Sequence, residues 1–231
     1  MKTLAIITAR GGSKRIPGKN IRDFYGKPVI AYSIQAALES NCFDKIMCST
    51  DDVKIAKIAQ KYGAEVPFFR SPETSNDYAT TADVLQEVIS EYAKRGEFFD
   101  CFCCIYPVAP FISGKQLKAG LNIMLNENAN GAMPVVQYSY PTQRALKISS
   151  QKLSMFYPDF LTARSQDLEK SYHDAGQFYW YKTEAFHKNP NIMQLSPVAI
   201  ILPENEVQDI DTEEDWQIAE LKYKILQGKL L

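Results

Sequence analysis

Over roughly its first 137 residues the chain alternates short β-branched or aromatic runs with longer amphipathic stretches, the pattern of a parallel sheet covered by helices. Leu4 to Thr8 reads as a first strand, Pro28 to Leu38 as a helix with proline in its first turn, and Lys45 to Ser49 as a second strand. Val53 to Tyr62 predicts a helix closed by Gly63, Val66 to Phe69 a short strand, and Thr81 to Lys94 a longer helix stopped by Gly96. The wholly apolar run Cys101 to Tyr106 suits a strand at the sheet centre, buried on both faces. A helix over Lys115 to Leu125 and a strand over Met133 to Gln137 complete this part.

The alternation breaks between Tyr138 and Ala175, where Pro141, Pro158, polar runs and a hairpin turn at Ser149 and Ser150 mark an appendage. Strands return at Gln177 to Tyr181 and Val198 to Leu202, and Thr212 to Leu226 reads as a closing helix with Trp216, Ile218, Ala219, Leu221, Ile225 and Leu226 as its apolar residues. The 231 residues therefore divide into an α/β domain over 1–138 and 176–231 and an inserted arm over 139–175. Hydrophobic residues at 45% and charged residues at 23% exclude a disordered chain, and no internal repeat is present.

Charge and cysteine usage narrow the function classes. With 26 Lys+Arg against 27 Asp+Glu the net charge is -1, so nucleic acid is not the expected partner and any anion site is local. The cysteines at 42, 48, 101, 103 and 104 are odd in number, three of them crowd one apolar run, and no C-x-x-C pair exists. That is neither a secreted disulfide framework nor, with the two histidines at 173 and 187 far along the chain, a zinc site. The cytosol is the compartment such cysteines suit. The apolar stretch Leu4 to Ile7 is too short for a membrane span or a secretory core, and no targeting segment is visible.

The most informative segment follows the first strand: Ala9-Arg10-Gly11-Gly12-Ser13-Lys14-Arg15-Ile16-Pro17-Gly18-Lys19-Asn20, four cations and no acid. In an open parallel sheet ligands bind beyond the carboxyl ends of the strands, and Gly11 and Gly12 let backbone N–H groups approach an anion. The guest this predicts is a polyphosphate. One unit pair at 4 Å is worth about 4 kcal/mol at an effective dielectric of 20, so several converging cations can dominate binding. The Rossmann G-x-G-x-x-G is absent, and the P-loop spacing fails because five residues separate Gly12 from Gly18-Lys19, with Asn20 in place of Ser or Thr. The alternative is a solvated basic turn before a helix.

Asp209 and Asp211 are one residue apart, which in an extended segment turns both carboxylates to one side as a hard oxygen site for Mg²⁺. Asp211 also begins Asp-Thr-Glu-Glu-Asp and could instead cap the last helix, with Glu214 completing a capping box. Cys101, Cys103 and Cys104 read as small buried hydrophobes without chemistry.

The stretch Ala9 to Ile21, A-R-G-G-S-K-R-I-P-G-K-N-I, resembles the opening motif of the cytidylyltransferases that activate sialic acids and related nine-carbon sugar acids. The resemblance continues through Ser49-Thr50-Asp51, Arg70-Ser71-Pro72-Glu73, Asp77 with Thr80-Thr81, Pro107 with Pro110, and Asp209-Ile210-Asp211-Thr212. It implies a Rossmann-like α/β fold, a mixed and mostly parallel sheet with helices on both faces, and a small dimerisation arm, hence a homodimer. The reaction it implies joins CMP from CTP to the anomeric oxygen of a sugar acid and releases pyrophosphate, with Mg²⁺ as cofactor.

Carried over by motif, Arg10, Lys14 and Lys19 would grip the triphosphate through a loop that includes Gly11, Gly12 and Ser13. Lys19 would face the α-phosphate, and Lys19, Arg10 and Asp211 form the implied catalytic set. Asn20 would lie near the nucleotide, and Arg70 and Thr81 at the cytosine, although Thr81 could cap its helix and Arg70 be a strand-end charge. Tyr106, Arg144, Tyr172, His173, Gln177 and Tyr179 are the implied sugar residues. Where sialic acid enzymes carry Gln followed by Pro-Thr-Ser-Pro, this chain has Tyr106-Pro107-Val108-Ala109-Pro110. That more apolar wall suits a deoxy, acylated acid such as pseudaminic acid ahead of N-acetylneuraminate, with legionaminate or KDO as alternatives. A non-catalytic CTP sensor is the reading from a different class.

Overall fold

The structure, a computed structural model, describes residues 1–228. The first half holds β1 (Thr3–Thr8), β2 (Asp23–Phe24), β3 (Lys27–Pro28), α1 (Ile30–Ser40), β4 (Lys45–Ser49), α2 (Val53–Lys61), α3 (Pro72–Ser75), α4 (Thr81–Lys94) and β5 (Cys101–Ile105). The second half holds α5 (Gly114–Asn126), β6 (Gly131–Gln137), β7 (Leu146–Ser149), β8 (Lys152–Met155), β9 (Tyr172–Asp174), β10 (Phe178–Lys182), α6 (Thr183–Lys188), β11 (Val198–Ile201) and α7 (Glu213–Leu226).

The main sheet runs β11-β6-β10-β5-β1-β4, with β9 paired to β6. β4 and β5 flank β1 in parallel, β11 is parallel to β6, and β10 lies antiparallel between β5 and β6. The sheet is mixed and mostly parallel, as expected, and the reversed β10 joins the β1 half to the β6 half. All five residues of β5 are buried, which agrees with its central place. Strand alternation splits the core in two: Ala5 and Ile7 face α1, α2 and α5, whereas Leu4 and Ile6 face Leu85, Val88 and Tyr92 of α4 and Phe186 of α6. Each fully buried aliphatic side chain contributes roughly 1.5–3 kcal/mol relative to exposure, so the two layers hold the strand ends rigidly. Among the described residues no helix is long and apolar enough to cross a membrane.

Two sequence expectations need correction. Pro28 does not open a helix; it pairs with Asp23 in the β2–β3 ribbon, whose turn uses Tyr25 (φ 51°) and Gly26 (φ 85°), and α1 starts two residues later. Val66 to Phe69 forms no strand, because Pro67 removes a ladder donor. β4 gains only a single bridge there, between Met47 and Glu65. The break in alternation after Tyr138 is real: β7 and β8 form an isolated hairpin turned by Ser150 (φ 46°) and Gln151 (φ 64°). Yet the last residues of the segment expected as an arm rejoin the main sheet, since β9 pairs with Val135 to Gln137.

The packing of α5 on α1 leaves no room at the start of α5. A Cβ on Gly114 would stand 2.7 Å from the Ser40 backbone nitrogen and 2.9 Å from the Glu39 carbonyl carbon. Gly114→Ala is expected to lower stability by about 1–3 kcal/mol through overpacking, read as a lower urea midpoint with unchanged m.

Candidate active site

The basic loop leaves the carboxyl end of β1, where Ala9 N–H still donates to Ser49 O at 2.9 Å. From there the chain leaves the sheet, and acids from elsewhere in the sequence hold its cations. Arg10 Nη1 donates to Asp77 Oδ1 at 3.0 Å and Lys14 Nζ bonds the other Asp77 oxygen. Arg15 Nη1 pairs with Asp211 Oδ2 at 2.9 Å. Lys19 Nζ donates to Ile210 O at 2.6 Å and stands 3.4 Å from Asp211 Oδ1. Lys14 and then Arg10 hold the Asp77 carboxyl below the usual carboxylate range. Asn20 is buried and ties the loop to itself, donating from Nδ2 to Arg10 O at 2.8 Å.

A cavity of about 470 Å³ opens between this loop, the residues after β5 and the segment before α7. Arg10, Ser13, Lys14, Arg15, Lys19 and Asn20 line one side; Tyr106, Pro107 and Val108 line another; Gly176, Gln177 and Gln208 to Asp211 close it. The cationic loop and the twin aspartates therefore meet around one space, at the carboxyl ends of parallel strands where such sheets bind ligands.

The Asp209 carboxyl is raised above its ordinary range, first by burial and then by the neighbouring Asp211 charge, with Lys19 opposing. A site that disfavours its second negative charge is relieved by a divalent cation. Two carboxylates also fit the habit of Mg²⁺, which binds through one or two carboxylates plus substrate phosphates. Among the described residues no group of three or more His, Cys, Asp and Glu gathers at ligand distance. The capping alternative for Asp211 is overturned: the N-cap of α7 is Thr212, and its box partner is Asp215 rather than Glu214. Asp211 caps nothing and lines the cavity, paired with Arg15 and Lys19.

The other expected residues separate into those at the cavity and those away from it. Gly11 gives its N–H to Asp51 Oδ1 at 2.8 Å rather than toward the cavity, and a Cβ there would meet Asp52 at 3.0 Å, so glycine answers a close approach. At Gly12 a Cβ would meet nothing within 4 Å. Arg70 and Thr81 are not on the wall. Arg70 is buried beneath the loop, donating from Nε and Nη2 to the hydroxyl and carbonyl of Ser49 at 3.0 and 2.7 Å. Burial pushes its pKa down against the Asp51 charge, so it is no ordinary strand-end cation. Thr81 does not cap α4; Thr80 does, with Asp83 as box partner.

Of the sugar set, Tyr106 and Gln177 line the cavity. Gln177 Nε2 donates to Glu206 O at 2.8 Å, and its buried Oε1 has no partner among the described residues. Tyr179 stands behind Tyr106, edge to face with ring centroids 5.5 Å apart, and burial raises the pKa of both phenols. Tyr172, His173 and Arg144 are not on the cavity wall: His173 lies against Tyr138, and Arg144 donates to Ser165 Oγ at 3.1 Å. Burial pushes the Cys48 and Cys104 thiols up to about 12, which leaves them inert.

Sequence reasoning did not assign Arg15, Gln208, Asp51, Asp77 or Asp174 to the site. Arg15 carried a signal, as a member of the basic run. Asp77 appeared only among the residues of the resemblance, and its partner Lys14, 63 residues away, was not legible.

Comparison with known proteins shows the family and the fold. A family profile described as Cytidylyltransferase matches residues 4–224, and the chain belongs to that family. It is 41% identical over 226 residues, 97% of each chain, to the pseudaminic acid cytidylyltransferase of Campylobacter jejuni. It is 32% identical, over the whole of both chains, to the CMP-N,N'-diacetyllegionaminic acid synthase of Legionella pneumophila. Among solved structures, a CMP:2-keto-3-deoxy-manno-octonic acid synthetase complexed with CTP superposes with a TM-score of 0.70 at 18% identity, covering 99% of this chain and 100% of that one.

The cap assignment can be measured. Asp215→Ala should cost about 1 kcal/mol in urea unfolding by opening the α7 capping box, while Asp211→Asn, which caps nothing, should cost less than half of that.

Proposed function

We propose that this cytidylyltransferase transfers CMP from CTP to the anomeric hydroxyl of a nonulosonic acid, pseudaminic acid first, and releases pyrophosphate. The observation that carries the reading is the meeting of Arg10, Lys14, Arg15 and Lys19 with Asp209 and Asp211 around one cavity. The choice of acid rests on the 41% identity to an enzyme named for pseudaminic acid and on the wall of Tyr106, Pro107 and Val108, which favours a deoxy, acylated sugar. Legionaminic acid is the next choice, from the 32% relative.

In this reading Arg10 and Lys14 take the outer phosphates and Lys19 the α-phosphate, where charge grows as the sugar oxygen attacks in line. The chain forms no covalent intermediate; its cations orient the triphosphate and neutralise the departing pyrophosphate. Asp209 and Asp211 would hold Mg²⁺, which would supply charge neutralisation for the phosphates and lower the pKa of a bound hydroxyl. Arg70, beneath the loop, and Thr81, at the start of α4, belong to the cytosine side. The exposed Leu146, Ile148, Leu153 and Leu161 of the arm support a homodimer, and five free cysteines support a cytosolic setting.

The direct test is pyrophosphate release from CTP and Mg²⁺ with a panel of sugar acids. Pseudaminic acid should react fastest; CTP binding without turnover with any acid would leave a nucleotide sensor. Lys19→Ala should lower kcat about 100-fold while raising the CTP KM by less than about tenfold, because its partner charge grows in the transition state. Asp211→Ala should abolish the metal-dependent rate.

A further inference from the structure

Asp174 ends β9 and belongs to no step of the mechanism above, yet both of its oxygens are engaged. Gly176 N–H donates to Oδ1 at 2.8 Å, closing a turn in which Gly176 takes φ 63°. The Tyr179 hydroxyl donates to the same carboxylate, 2.9 Å from Oδ1 and 2.8 Å from Oδ2. Tyr179 is only 6% exposed, so the phenol has little water to turn to if the carboxylate is removed.

Both partners lead to the cavity. Gly176 and Gln177, which the turn presents, are wall residues. Tyr179 packs edge-on against Tyr106, another wall residue, whose backbone N–H donates to Gln177 O at 2.9 Å. Tyr106 is thus bound to the turn by its backbone and backed by Tyr179 through its ring, and one carboxylate fixes both supports. Asp174 itself is not on the wall, so it acts through these neighbours.

We propose that Asp174 is a positioning residue for the sugar-acid side of the site, its carboxylate setting the Gly176–Gln177 turn and the edge-to-face Tyr179–Tyr106 pair as one wall. This rests on the cytidylyl-transfer reading and names a determinant of how the acceptor is held. The nucleotide side, built on the basic loop, is anchored by Asp51, Asp77 and Asp211 instead. The two sides therefore separate in kinetics.

The test is steady-state pyrophosphate release by the full chain, varying the sugar acid at saturating CTP and then the reverse, for wild type, Asp174→Ala, Asp174→Asn and Tyr179→Phe. Asp174→Ala is expected to lower kcat/KM for the acid about 10- to 100-fold, the scale of a wall misplaced by about 1 Å, with the CTP KM changed less than about twofold. Asp174→Asn keeps an amide oxygen for the Gly176 N–H and should recover most of the loss. Tyr179→Phe should raise the acid KM and add nothing further in the Asp174→Ala background, because both act on one wall. Wild-type kinetics in Asp174→Ala, or an equal rise in both KM values, overturns the proposal. If thermal melts show that Asp174→Ala does not fold, Tyr179→Phe decides, and an unchanged acid KM there overturns it. A wild-type enzyme silent with CTP and every acid overturns the reaction reading instead.

Discussion

The Lys19 ammonium joins the beginning of the chain to its end. It crosses 191 residues to reach the Ile210 carbonyl and then Asp211, so the first loop and the segment before α7 share one wall. Its side chain is only 20% exposed, which strengthens the attraction relative to the solvated pairs around it. Arg15 on Asp211 at 2.9 Å makes a second tie between the same loop and the same segment. α7 is placed to receive it because Trp216 and Ala219 pack with Phe24, Tyr32 and Phe111 in a small core of their own, next to the loop's Ile16.

All four loop cations are partnered by acids, two on Asp77 and two on Asp211. Four converging positive charges would repel one another and splay the loop, and the two carboxylates offset that while the cavity is open. Arg10 and Lys14 line the cavity, whereas Asp77, which binds both, does not.

Much of the scaffold was legible in local pattern. The strand Lys45–Ser49 and the helix Thr81–Lys94 fall on their expected bounds, and the apolar run at Cys101 lies at the sheet centre. The failures have specific causes. Pro28 reads as a helix start because proline fits a first turn, but the ribbon of β2 and β3 takes it first. Val66 to Phe69 has strand composition, yet Pro67 removes a donor and leaves one bridge. The capping alternatives for Thr81 and Asp211 each miss by one position, the caps being Thr80 and Thr212, because capping depends on dihedral angles that neighbouring Ser, Thr and Asp residues satisfy almost equally.

By itself the sequence determined where the candidate chemistry lies: a cationic glycine loop after a strand and two aspartates at alternate positions are chemical patterns that need no coordinates. Only the tertiary structure decided which of them face a common space. It brought Tyr106 and Gln177 to the wall, put Tyr172, His173 and Arg144 away from it, and gave Asp77 and Asp174 their partners. The reason is physical: charge and hydrogen-bonding capacity belong to the residue, but a contact across 60 or more residues, such as Lys14 with Asp77, depends on how sheet and helices pack.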